Sequence, residues 1–95
     1  MSYRIRLSAA AQEDLQRLFE FLAANDLASA KRARDAIEKA YEFLEVMPFA
    51  CRKAEESNPF LRELVIAFGT AGYVALFEIE DKTTVTILAI RHQRE

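Results

Sequence analysis

The final five residues, Arg91, His92, Gln93, Arg94 and Glu95, follow directly on a strand-like apolar run that reaches Ile90. They bring two guanidiniums, an imidazole and a carboxylate together. Guanidiniums are the side chains best suited to carboxylates and phosphates, because their N–H donors bind both oxygens at once. The plain alternative is a solubilising terminus, since chain ends are commonly polar and frayed. A further guanidinium, Arg62, lies within an apolar run at residues 60–68 and beside Glu63. That neighbourhood fits either a cross-strand ion pair or a contact residue.

Other chemistry has little material to work with. His92 as a general base would need a nucleophile within reach, and the only thiol is Cys51. A single Cys and a single His cannot build a Cys/His zinc site, and a lone Cys usually serves as a small buried hydrophobe. There is no phosphate-cradling loop, dinucleotide-binding turn or Ser/His/Asp grouping, so no metal or cofactor is expected. The acidic residues fall mostly on polar helix faces, where they read as solvated surface. The run Lys31-Arg32-Ala33-Arg34 looks basic, but Ala30 and Ala33 belong to a packing stripe, which leaves the cations outward beside Asp35 and Glu38.

The elements that must carry these side chains can be read from periodicity. Tyr3, Ile5 and Leu7 alternate with polar residues, as in a half-buried strand. Ser8 is a suitable N-cap, and Ala11, Leu15, Leu18 and Leu22 recur at helical spacing over residues 9–24. Asp26 can cap a second helix with Ala30, Ala33, Ile37, Ala40, Leu44 and Met47 on its stripe, and Pro48 ends it. So short a link makes the two helices an antiparallel hairpin. Residues 49–59 read as a loop. Beyond them, three runs rich in β-branched and aromatic residues, joined by Gly69-Thr70-Ala71-Gly72 and Asp81-Lys82-Thr83, predict an antiparallel meander. Its apolar face would hold Leu64, Ile66, Phe77, Ile79, Ile87 and Ala89. The fold class is therefore α+β in the order β-α-α-β-β-β, a helix hairpin on an antiparallel sheet, with residues 1–95 as one domain.

Composition agrees. In 95 residues, 52% are hydrophobic and only two are Gly and two Pro, which excludes disorder and favours long regular elements. Thirteen basic and 15 acidic residues leave a net charge of −2, too little for general attraction to nucleic acid or an anionic membrane. No signal-like apolar segment or membrane-length run is present, and one cysteine suits a reducing compartment, so a cytoplasmic location is expected.

Taken in order, the helix hairpin, "LRELVIAF", "GY" and the closing "RHQRE" resemble the RelE/ParE superfamily of bacterial toxins, and the ending resembles its ParE-type branch. (This ParE is the toxin, not the topoisomerase subunit of the same name.) The resemblance implies a type II toxin-antitoxin component, neutralised by a cognate antitoxin in a hetero-oligomer, that inhibits DNA gyrase by binding. It implies no catalytic residue, and makes Arg62, Arg91, His92 and Arg94 candidate contacts for target or antitoxin.

The alternative within the superfamily is a RelE-like, ribosome-dependent messenger RNA endoribonuclease. Such chains commonly carry lysines on the strand matching residues 62–68, an Arg directly after the "GY", and a Tyr beyond the last strand. Here Leu64, Val65 and Ile66 occupy the first, Val74 the second, and nothing follows Glu95. One missing oxyanion-type donor removes roughly 3–4 kcal/mol of barrier lowering. The vacancies favour the binding mode, and leave a non-toxic partner protein as a third reading.

Overall fold

The computed structural model describes residues 2–69 and 71–93. Strand β1, Arg4–Leu7, alternates exposed arginines with half-buried Ile5 and Leu7. Ser8, its backbone still extended, then caps helix α1, Ala9–Asn25, by accepting a 3.1 Å bond from the Ala11 N–H. Helix α2, Leu27–Val46, follows with the single residue Asp26 between it and α1. Asp26 makes this abrupt reversal possible. Its N–H donates to the Leu22 carbonyl to close α1, and its carboxylate accepts from the Ala28 N–H and the Ser29 hydroxyl to open α2.

Ala30, Ala33, Ile37, Ala40 and Leu44 form the buried stripe of α2, and the three alanines let the neighbouring elements approach closely. Pro48 starts a single 3-10 turn, Pro48–Ala50, where the helix can no longer continue.

Strands β2 (Arg52–Glu55), β3 (Asn58–Phe68), β4 (Ala71–Ile79) and β5 (Thr84–His92) follow. The sheet order is β1-β5-β4-β3-β2. Strands β3 to β5 form the expected antiparallel meander, β2 adds an antiparallel strand at its edge, and β1 joins β5 in parallel, so the five-stranded sheet is mixed rather than antiparallel throughout. A parallel neighbour is possible because the helix hairpin and the whole meander intervene between β1 and β5.

The stretch read as a loop at residues 49–59 contains β2. Its polar side chains carry no apolar alternation, as suits an edge strand that must resist further pairing. It pairs with β3 only from Glu55↔Asn58 to Arg52↔Glu63.

One face of the sheet meets the helices, with α1 over β5, α2 over β3, and both helices against β1. Ile66, Tyr73, Ala75, Phe77, Ile79, Val85, Ile87 and Ile90 are buried there with Ile37 and Leu44. Leu15, Leu18 and Leu64 pack against this core half-buried. Ala89 does not lie on that face as expected. Between Phe77↔Ile87 and Leu76↔Ala89 the register slips, leaving Leu88 as an extra residue in β5, and Ile90 takes the inward position.

Candidate functional site

The bulge at Leu88 determines what the C-terminal segment presents. Before it, odd-numbered residues of β5 point to the helices; after it, even-numbered ones do. Arg91 therefore pairs with Val74 and stands exposed on the face away from the helices, while His92 pairs with Tyr73 on the helix side. The Tyr73 and His92 rings meet edge to face at 5.5 Å, and Tyr73 also contacts Phe68 at 5.8 Å. The Gln93 N–H then donates to the Gly72 carbonyl at 2.9 Å. Arg94 and Glu95 lie outside the described residues. The C-terminal segment is thus divided by the sheet rather than gathered into one cluster.

Three hydrogen bonds from the start of α1 hold this irregular stretch. The Ser8 N–H donates to the Ile87 carbonyl at 2.9 Å, and the Ser8 hydroxyl to the Leu88 carbonyl at 3.1 Å. Asp14 Oδ2 accepts from the Ile90 N–H at 2.9 Å, while its other oxygen takes Arg17 at 2.5 Å. Sequence periodicity assigned Ser8 only a capping role and gave Asp14 none, because their partners on β5 are as many as 80 residues away in the chain.

On the face opposite the helices, the cross-strand rows follow from the register. Arg91, Val74 and Val65 form one row. Ala89, Leu76, Glu63 and Arg52 form the next, closed by an Arg52–Glu63 ion pair of 3.1 Å. Arg6, Thr86, Glu78 and Leu61 make a third. The middle of this face is apolar: Val65 is 43% exposed, and Val74 and Leu76 are half-buried with no helix above them. Val74, the residue directly after the "GY" pair, is at its centre. Among the described residues no salt bridge engages Arg91.

Arg62 is not part of this face. It pairs with Phe77 on the helix side, where its Nε donates to the Pro59 carbonyl at 2.8 Å and its Nη1 to the carbonyls of Cys51 at 2.7 Å and Phe49 at 3.1 Å. Its guanidinium lies 5.3 Å from the Phe49 ring centre. These contacts tie the 3-10 turn and the start of β2 to β3, and the ion pair considered for Arg62 belongs instead to its neighbour Glu63. Arg62 and His92 are four register positions apart and separated by β4, about 13 Å along the strands and 10 Å across them. The structure does not bring them together.

Cys51 is buried, and desolvation pushes its thiol pKa up, an effect that the Arg62 charge partly offsets. Among the described residues, no three His, Cys, Asp or Glu side chains are grouped to hold a metal ion. Among the described residues, clefts border the sheet at two places. One of about 460 Å³ runs between α2 and β3, lined by Arg32, Asp35, Lys39, Phe43 and residues 64–67. The other, about 580 Å³, lies at the β4–β5 turn beside Tyr3, Phe49 and Phe60.

A helix hairpin on one face of a mixed sheet, with the other face open, is the architecture of the RelE/ParE toxins. The chain matches a chromosomal ParDE toxin-antitoxin system from Pseudomonas aeruginosa with a TM-score of 0.70 at 18% identity, over 96% of both chains. It matches the toxin-antitoxin complex RelBE2 from Mycobacterium tuberculosis with a TM-score of 0.63 at 27% identity, over 98% of this chain and 100% of the other. No curated protein gives a significant sequence match. The family model described as the ParE toxin of the type II toxin-antitoxin system, parDE, matches residues 5–95, and the chain belongs to that family.

Proposed function

We propose that this ParE-type toxin inhibits DNA gyrase by binding it, without catalysis of its own, and that a cognate antitoxin masks it in a hetero-oligomeric complex. The observation that carries the reading is the row Arg91–Val74–Val65. A nuclease that cuts RNA without a metal needs several cations around the scissile phosphate, and two of the three positions in this row are aliphatic. An apolar strip with a guanidinium at its end suits protein recognition instead. Burial of aliphatic anchors supplies affinity, and the charge sets register and association rate.

In this reading Arg91 and Arg94 receive carboxylates of the partner, His92 supports the strand end through Tyr73, and Arg62 shapes the neighbouring corner rather than contacting the partner. The antitoxin contributes a segment that is flexible when free and folds across the toxin, with acidic residues near Arg91. No cofactor, membrane or sequence-specific nucleic acid contact is required, and the site of action is the cytoplasm.

The test compares two purified systems. Gyrase-dependent DNA cleavage on adding the toxin, with messenger RNA left intact on translating ribosomes, is the expected result. Cut messenger RNA with unaffected gyrase would overturn the proposal in favour of a RelE-like endoribonuclease.

A further inference from the structure

We propose that Ser8 and Asp14 are positioning residues for the contact surface, because by pinning the bulge in β5 they decide which side of the sheet receives Arg91. The importance of Arg91 rests on the function proposed above; the positioning itself rests on the geometry alone.

An unbroken β5 would place residues 85, 87, 89 and 91 on one face. Arg91 would then be directed toward the helix side and His92 to the open side, the reverse of what is observed. The insertion of Leu88 inverts this order over the last residues of the strand. A bulge interrupts the ladder and leaves backbone groups in need of other partners. Those partners are Ser8, which donates to Leu88 O, and Asp14, which accepts from Ile90 N–H.

A helix could be anchored to a sheet at many places, yet the Ser8 side chain meets the extra residue of the one register slip between β4 and β5, and the Asp14 side chain meets the strand two residues beyond it. The Asp14 side chain is only 14% exposed, against 71% for Arg17 beside it. Burying a carboxylate is unfavourable unless its oxygens are bonded, and here one is bonded to Arg17 and the other to the Ile90 N–H, two residues beyond the bulge. Ile90, 6% exposed, closes the arrangement from the core side. Loss of the Asp14 acceptor leaves the Ile90 N–H without that partner, and the plainer register with Arg91 inverted becomes competitive.

The experiment is a double-mutant cycle read in two ways. Association of the toxin with the antitoxin encoded beside it is timed by stopped flow for wild type, Arg91→Glu, Asp14→Ala and the double variant. The nuclear Overhauser contacts between the His92 and Tyr73 rings are recorded on the free toxins. Arg91→Glu is expected to slow association about tenfold in the wild-type background and at most about twofold in the Asp14→Ala background. Asp14→Ala is also expected to lose the His92–Tyr73 contacts, and Asp14→Asn, which keeps a carbonyl acceptor, to restore them.

An equal slowing by Arg91→Glu in both backgrounds, with the ring contacts intact, would overturn the proposal and leave Asp14 as a helix anchor. If Arg91→Glu has no effect even in wild type, the docking role of Arg91 fails. The ring contacts then decide the positioning by themselves, since their persistence in Asp14→Ala refutes it and their loss supports it. Should Asp14→Ala not fold, Ser8→Gly takes its place, because glycine is tolerated at an N-cap while the bond to Leu88 is lost.

Discussion

At the scale of single residues, burial separates side chains that the sequence treats alike. Phe77 is fully buried and Leu18 only half-buried, although both belong to apolar stripes. Phe77→Ala should cost about 3–5 kcal/mol, and Leu18→Ala about 2 kcal/mol or less, since truncation of a half-buried side chain forfeits less transfer energy and leaves less of a cavity. Urea unfolding of the two variants measures the difference, and equal losses would contradict the assignment. Cys51 provides a second residue-level test. Its buried thiol, with the pKa pushed up, should react with a disulfide reagent at neutral pH far more slowly in the folded protein than in urea. Equal rates would mean that the site is open.

At the scale of elements, two joints carry more than their length suggests. Gly72 approaches β3 so closely that a Cβ atom would lie 2.4 Å from the Ile66 carbonyl oxygen. The "GY" pair thus has a packing reason at its first position and a core aromatic at its second. Gly72→Ala should lower the melting temperature by several degrees and disturb the Gln93 bond to the Gly72 carbonyl. Gly69, by contrast, has φ +63° in the β3–β4 turn with open space around it, so substitution there strains only the backbone.

Asp26 is the joint of the helix hairpin, and Asp81 orders the β4–β5 turn through Thr83. Hydrogen bonds to Ser29 and Ala28 hold the Asp26 carboxyl below its ordinary value of 3.8, and bonds from Thr83 do the same for Asp81. Because the unfolded chain takes up these protons at higher pH than the folded one, the stabilisation is complete above about pH 4. It is lost as pH falls through the lower folded-state values. Thermal unfolding from about pH 6 to pH 2 should therefore show a steeper acid loss for wild type than for Asp26→Asn.

At the scale of the whole molecule, apolar surface is distributed unevenly. Val65 and Phe43 flank the α2–β3 cleft, and β3 has no described neighbour on its outer edge beyond Glu63. An uncovered strand edge beside apolar side chains is prone to self-association unless a partner covers it. If the antitoxin uses this surface, Val65→Glu should speed dissociation of the complex while changing association little, whereas Arg91→Glu should act mainly on association and flatten its salt dependence. Stopped-flow association and a dissociation chase at two salt concentrations distinguish the two effects. Matching changes from both variants would defeat this division of roles.

The sequence by itself determined the elements whose cause is local. Ser8 and Asp26 announced both helix starts, Pro48 the end of α2, and the alternation of apolar residues the three long strands, because capping, ring geometry and side-chain period act within a few residues. It also showed, through its resemblance, the order that identifies the toxin family. Tertiary structure alone decided the rest. Strand β2 exists because β3 offers its edge to a polar segment that no periodicity marks, and β1 joins β5 in parallel because the core draws together the two ends of the chain. The slip at Leu88 decides which face receives Arg91 and which receives His92, and the hydrogen bonds that join β5 there to Ser8 and Asp14 span most of the sequence. Periodicity counts residues along one strand, and a single extra residue stabilised from across the fold reverses every face assignment that follows it.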